Sequence, residues 1–106
     1  MSSTPVKLLI RGGGLWRQIN EEWVYISDQP GHRATVPTTI SHSRLVSYVQ
    51  FRCGIDSSFG ITRITYLYSG QLFELNSDET VFSFLDYAAS LNYPSTICVC
   101  VENSNV

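Results

Sequence analysis

The sequence predicts an α+β domain: a mixed sheet of four to five strands with two helices, in the order ββαββαβ. Three observations carry this. An aliphatic, β-branched run at Val6–Ile10 stands near one end, and a second at Ile97–Val101 stands near the other. Two segments with apolar residues at helical spacing lie between them, each opened by a serine. Strand-like stretches rich in β-branched and aromatic residues fill most of the remainder.

Residues 5–11 read as the first strand, with Lys7 as its polar interruption. Gly12-Gly13-Gly14 then frees the backbone for a sharp exit. Leu15 to Asn20 reads as a loop or a strand continuation, anchored by Trp16. Trp23-Val24-Tyr25-Ile26 is a second strand, interrupted by the turn signal Asp28-Gln29-Pro30-Gly31 and resumed at Arg33-Ala34-Thr35-Val36. Ser41 is placed to cap the first helix, with Ile40 and Leu45 as a hydrophobic staple. Leu45, Val46, Val49 and Cys53 make its apolar stripe, and Gly54 is a left-handed stop.

Ile61 to Tyr68 reads as a strand and Leu72-Phe73-Glu74-Leu75 as a shorter one. Ser77 caps the second helix, and Asp78 and Glu79 favour the positive end of its dipole. Val81, Phe82, Leu85, Ala88 and Ala89 form its expected buried stripe, and Asn92-Tyr93-Pro94 ends it. Ile97–Val101 lacks polar alternation apart from thiols, which suits a central strand. The first and last strands are the most apolar and are expected to form the central pair. Such an arrangement is a ubiquitin-like β-grasp.

At 106 residues the chain reads as one domain over 1–106, with loose ends near 1–4 and 103–106. Charged residues make up 15% and the formal net charge is −2. Seven basic residues against nine acidic ones leave no surplus to neutralise phosphates, so nucleic-acid binding by this segment alone is not expected. No apolar run approaches the roughly 20 residues that span a bilayer, so no membrane role is expected. Met1-Ser2-Ser3-Thr4-Pro5 does not read as a signal peptide. The odd set of three cysteines, with Cys98 and Cys100 on one strand face, fits a reducing intracellular compartment.

Catalytic and cofactor motifs are not evident. Gly12-Gly13-Gly14 lacks the following lysine and helix of a phosphate loop. Cys53, Cys98, Cys100, His32 and His42 lack the spacing of a zinc set, and the thiols read as small buried hydrophobes. His42, within Ser41-His42-Ser43, is accounted for by a turn or cap role rather than by nucleophilic chemistry. No enzyme activity, cofactor or metal is expected. Trp16, Trp23 and Tyr25 suit either core packing or an exposed aromatic anchor. Tyr66, Tyr68, Tyr87 and Tyr93 are expected to be half-buried, with hydroxyls reaching water.

Certain segments occur in a familiar order. They are Val6 to Gly14; Trp16; Trp23-Val24-Tyr25; Thr35-Val36-Pro37; Ile40-Ser41 with Leu45-Val46; and Cys53-Gly54-Ile55-Asp56. Further on come Ile64-Thr65-Tyr66; Asn76-Ser77-Asp78-Glu79; Val81 with Phe84-Leu85; and Val99-Cys100-Val101-Glu102. In this succession the chain resembles the Phox/Bem interaction domain. It is more similar still to the Phox/Bem-like segment at the N-terminus of plant Mutator-like transposases and their domesticated relatives. The resemblance implies a nuclear, transposase-derived parent in which this segment is an accessory module without nuclease chemistry. Such domains pair front to back, a basic face centred on one lysine meeting an acidic loop and helix. Lys7 matches that lysine, and Arg11 and Arg33 could extend the basic face. On the acidic side Asp78 and Glu79 match the helix start, with Glu74 and Asp86 as a thin supplement. The family's acidic loop is replaced by Tyr68-Ser69-Gly70-Gln71.

The expected function is therefore a protein–protein interaction module forming homo- or hetero-oligomers, its partner another protein domain or a second copy. The alternatives are an accessory nucleic-acid-binding domain or a scaffold domain of a longer transposase-like protein. For Lys7 the plainer role is a stem lying along apolar surface with its ammonium in water. For Asp78 and Glu79 it is helix-start electrostatics, worth about 0.3–1 kcal/mol each.

Overall fold

A computed structural model describes residues 5–56, 58 and 60–102, so the expected loose ends lie outside the described residues. The fold is α+β. Seven strands are β1 (Pro5–Arg11), β2 (Leu15–Ile19), β3 (Glu22–Ile26), β4 (His32–Pro37), β5 (Ile61–Tyr68), β6 (Gln71–Leu75) and β7 (Ser95–Glu102). Two helices are α1 (His42–Cys53) and α2 (Asp78–Ala89). Five strands form one mixed sheet in the order β4-β1-β7-β5-β6, and β2 and β3 form a separate two-stranded ribbon.

Alternation along β1 sets the two faces of the sheet. Val6, Leu8 and Ile10 are buried, while Lys7 between them is exposed. The buried set joins Ala34 and Val36 of β4, Ile97 and Val99 of β7, Ile64 of β5 and Leu75 of β6 in one core. Leu45 and Val49 of α1, with Val81, Phe84, Leu85 and Ala88 of α2, complete it. Both helices therefore cover the same sheet face. β1 and β7 lie side by side and parallel, from Leu8 opposite Ser95 to Arg11 opposite Cys98. Central placement explains the near-continuous burial of Ile97, Cys98 and Val99.

Both helices begin and end where local chemistry directs. The Ser41 hydroxyl accepts from the Arg44 amide at 3.2 Å. Gly54 takes a φ of 67° and ends α1, with its own amide directed to the Phe51 carbonyl and the Ile55 amide bonded to the Gln50 carbonyl at 2.8 Å. In α2 the Ser77 hydroxyl accepts from the Thr80 amide, and the Thr80 hydroxyl accepts from the Ser77 amide, closing a capping box. The α2 stripe differs from the expected one: Phe84 is buried and Phe82 is 54% exposed. Phe82 is turned ~100° from Val81, off the line through residues 81, 85 and 88.

The largest departure concerns residues 15–26. Of the loop or strand continuation expected from Leu15, the structure has a strand, but a separate one, which pairs antiparallel with Glu22–Ile26 rather than continuing β1. β3 is not the first part of β4, because β4 pairs with β1 and β3 pairs only with β2. The turn between β2 and β3, Asn20-Glu21, has φ values of 52° and 68°. Positive φ at both central positions is the hairpin geometry that suits twisted strands.

The carboxylate of Asp78 ties the helices together, accepting from the His42 amide at 2.7 Å. It thus serves the start of α1 as well as sitting in the first turn of α2. Asp78→Ala is expected to lower stability by about 0.5–2 kcal/mol, the usual effect of losing a cap. Urea unfolding would measure it, and an unchanged midpoint would refute the role.

Candidate functional site

The sheet face away from the helices carries the candidate residues. Lys7, Leu9 and Arg11 point to it from β1, and Arg33 of β4 stands opposite Leu9 in the ladder. Lys7 is exposed, opposite Thr35. Lys7 and Arg33 line a shallow depression of about 370 Å³ with Thr35 and Pro94, and it reaches round to Tyr48 of α1 on the helix-covered side. The Arg52 guanidinium, from the last turn of α1, donates to the Arg33 carbonyl at 3.1 Å and brings a further cation to this edge. The sequence reading did not include Arg52. Its only local signal is its position in a final helical turn. Among the described residues both ion pairs belong to Arg63, so neither Lys7 nor Arg33 is neutralised.

Arg11 shares the face but not the depression. Its guanidinium carbon stands 5.2 Å from the centre of the Tyr25 ring. Tyr25 is buried, and its hydroxyl donates to the Val99 carbonyl at 2.7 Å and accepts from the Gly14 amide at 3.0 Å. Burial foremost pushes its phenol up to about 12. The ribbon is also held by the Trp16 indole N–H, which donates to the Thr65 hydroxyl at 2.8 Å, and by edge-on contact of the Trp16 and Tyr25 rings. Trp16 and Tyr25 thus mount β2 and β3 on the sheet.

The acidic candidates are split: Glu79 and Asp86 share one exposed stripe of α2, while Glu74 and Asp78 are engaged within the chain. Glu74 lies on the face away from α2 and pairs with Arg63 at 3.1 Å, and Arg63 also pairs with Glu102. Asp78 is engaged with the α1 amide. Glu79 and Asp86 are exposed on α2. Ser69-Gly70 forms a tight turn with φ of 52° and 80°, joining Tyr68 directly to Gln71. There is no loop at that place to carry acidic residues.

Cys98 and Cys100 share a face, as their spacing requires, and Cys98 is buried. Burial pushes the Cys98 thiol up to about 12 and raises those of Cys53 and Cys100, which suppresses thiolate chemistry. No group of three metal-ligating side chains lies together among the described residues.

The sequence reading did not anticipate a groove of about 650 Å³ beside the ribbon. The β5–β7 ladder stops at Thr65 opposite Cys98. Beyond it β5 continues only with β6, and the start of β7 pairs only with β1. The groove opens around this parting and takes side chains from both sheet faces, including Trp16, Trp23, Tyr66, Tyr87, Tyr93 and Arg11. Tyr68 and Tyr87 are about half exposed, at 52% and 48%, as expected, and Tyr93 is somewhat more so at 60%. No family model matches this chain, and no curated protein is significantly similar to it.

Proposed function

We propose that this domain is a non-catalytic protein–protein interaction module of Phox/Bem-like, ubiquitin-like β-grasp type. Its basic edge, centred on Lys7 and Arg33, docks an acidic surface on another domain or a second copy. One observation carries this reading: Lys7 and Arg33 stand exposed on the sheet face away from the helices, around one depression and without a carboxylate partner among the described residues. A charged patch of this kind orients a partner and speeds encounter more than it adds raw affinity.

The strand order supports the β-grasp assignment. With β2–β3 set aside as an insertion, a parallel central pair is flanked by two antiparallel arms, and two helices cover one face. In this reading the domain is the oligomerisation module of a nuclear, transposase-derived plant protein. The basic component leads, because two of the four acidic candidates are engaged within the chain.

Sedimentation equilibrium tests the proposal. Association is expected to weaken by about tenfold between low and high salt, and the Lys7→Ala, Arg33→Ala double variant should weaken it comparably at low salt. Both side chains are exposed, so the variant should keep the wild-type unfolding midpoint. Association indifferent to salt and to the double substitution would remove the basic edge from the mechanism.

A further inference from the structure

We propose that the groove between the parted ends of β5 and β7 is a binding site for a small planar aromatic acid. Its volume, about 650 Å³, falls in the range of small-molecule sites. Aromatic rings dominate its wall, and among the described residues Arg11 is the one permanently charged side chain in it. Among the described residues no aspartate or glutamate lines it, and Arg11 takes part in neither ion pair.

The position of Arg11 is built rather than incidental. Its guanidinium lies over the Tyr25 ring, and that ring is fixed through its hydroxyl by the Gly14 amide and the Val99 carbonyl. Beyond this ring contact the Arg11 guanidinium makes no side-chain hydrogen bond or ion pair among the described residues, so its N–H groups are available to a carboxylate, which they match with two parallel bonds. A ring attached to that carboxylate would lie among Trp16, Trp23 and Tyr93, where offset stacking is available. A neutral aromatic would leave the cation unmatched, and a cationic one would be repelled by it.

This site adjoins the basic edge at Pro94 but draws on a different cation. Lys7 and Arg33 line the other depression, and Arg11 lines only this groove. The two proposals can therefore fail independently.

The test titrates the full chain with 2-naphthoate and with 2-naphthamide, its neutral counterpart, while amide NMR spectra are recorded. Naphthoate should shift the amides of Leu67, Thr96 and Cys98, with a dissociation constant on the order of 1 mM or tighter for a probe of this size. Naphthamide should bind at the same amides about tenfold more weakly, the worth of one charge-assisted contact. Arg11→Met should bring naphthoate down to the naphthamide level while naphthamide still binds, which shows that the groove is intact. Lys7→Ala should leave both titrations unchanged. Equal affinities for the two probes in the unaltered protein, shifts centred on Lys7 and Thr35, or no saturable shift with either probe would overturn the assignment.

Discussion

Gly14→Ala is expected to unseat the β2–β3 ribbon and lower stability by about 3 kcal/mol, the upper range for forcing an atom into packed structure. A Cβ at Gly14 would overlap the Ile26 carbonyl oxygen and stand 2.7 Å from the Ser27 Cβ. Neither neighbour can yield easily. Ile26 is held in register with Leu15, and the Ser27 hydroxyl donates to the Gly12 carbonyl at 2.6 Å. Gly54 and Gly70 provide the contrast: nothing lies within 4 Å of an added Cβ, and only their positive φ opposes substitution. Alanine there should cost about 1 kcal/mol. Urea unfolding followed by the fluorescence of Trp16 and Trp23 would separate the cases. A Gly14→Ala midpoint no lower than those of the other two variants would mean that the close approach is not structural.

Tyr25→Phe is expected to cost about 2–4 kcal/mol, because it removes one oxygen that serves two backbone groups. The Gly14 amide and the Val99 carbonyl would both lose their partner where β1 leaves the sheet. The same hydroxyl gives the fold an alkaline limit. In the unfolded chain Tyr25 titrates near 10.0; in the folded protein, burial foremost raises this to about 12. Between those values the unfolded state has released the proton and the folded state still holds it. Stability from this group is therefore complete below pH 10 and declines as pH rises towards 12. Cys98 acts with the same sign from pH 9.0 upward, also through burial. Unfolding midpoints followed across this range in a Cys98→Ala background should fall for the tyrosine chain and fall less for Tyr25→Phe. Parallel curves would show that the phenol is not protected by folding.

The parts of the fold that the sequence made legible are those governed by neighbours in the chain. Ser41, Gly54 and Ser77 mark helix ends through bonds to residues within a few positions, and the structure places those ends accordingly. The central place of Ile97–Val101 followed from its lack of alternation. The β2–β3 ribbon was hidden because Asn20-Glu21 makes its turn without glycine, so the usual hairpin signal is missing. Of the candidate site, the shared face of Lys7, Arg11 and Arg33 follows from strand alternation once β4 is set beside β1. Their division between two depressions does not, since it depends on Tyr25 reaching the Arg11 side chain from a separate ribbon. The groove had no local signal at all: it exists because two strands that pair at Thr65 and Cys98 part further along.

The parallel pairing of β1 with β7 also dictates the order of events during synthesis. β1 leaves the ribosome long before the strand that belongs beside it exists. Until then it can pair with β4, while its other edge stays open, and β5 can pair only with β6. Completion requires β7 to insert between the β4–β1 pair and the β5–β6 hairpin, a late, non-local and therefore slow step. During that interval the nascent chain presents an aliphatic edge, Leu8 to Ile10, of the kind that chaperones engage and that mispairs with other chains.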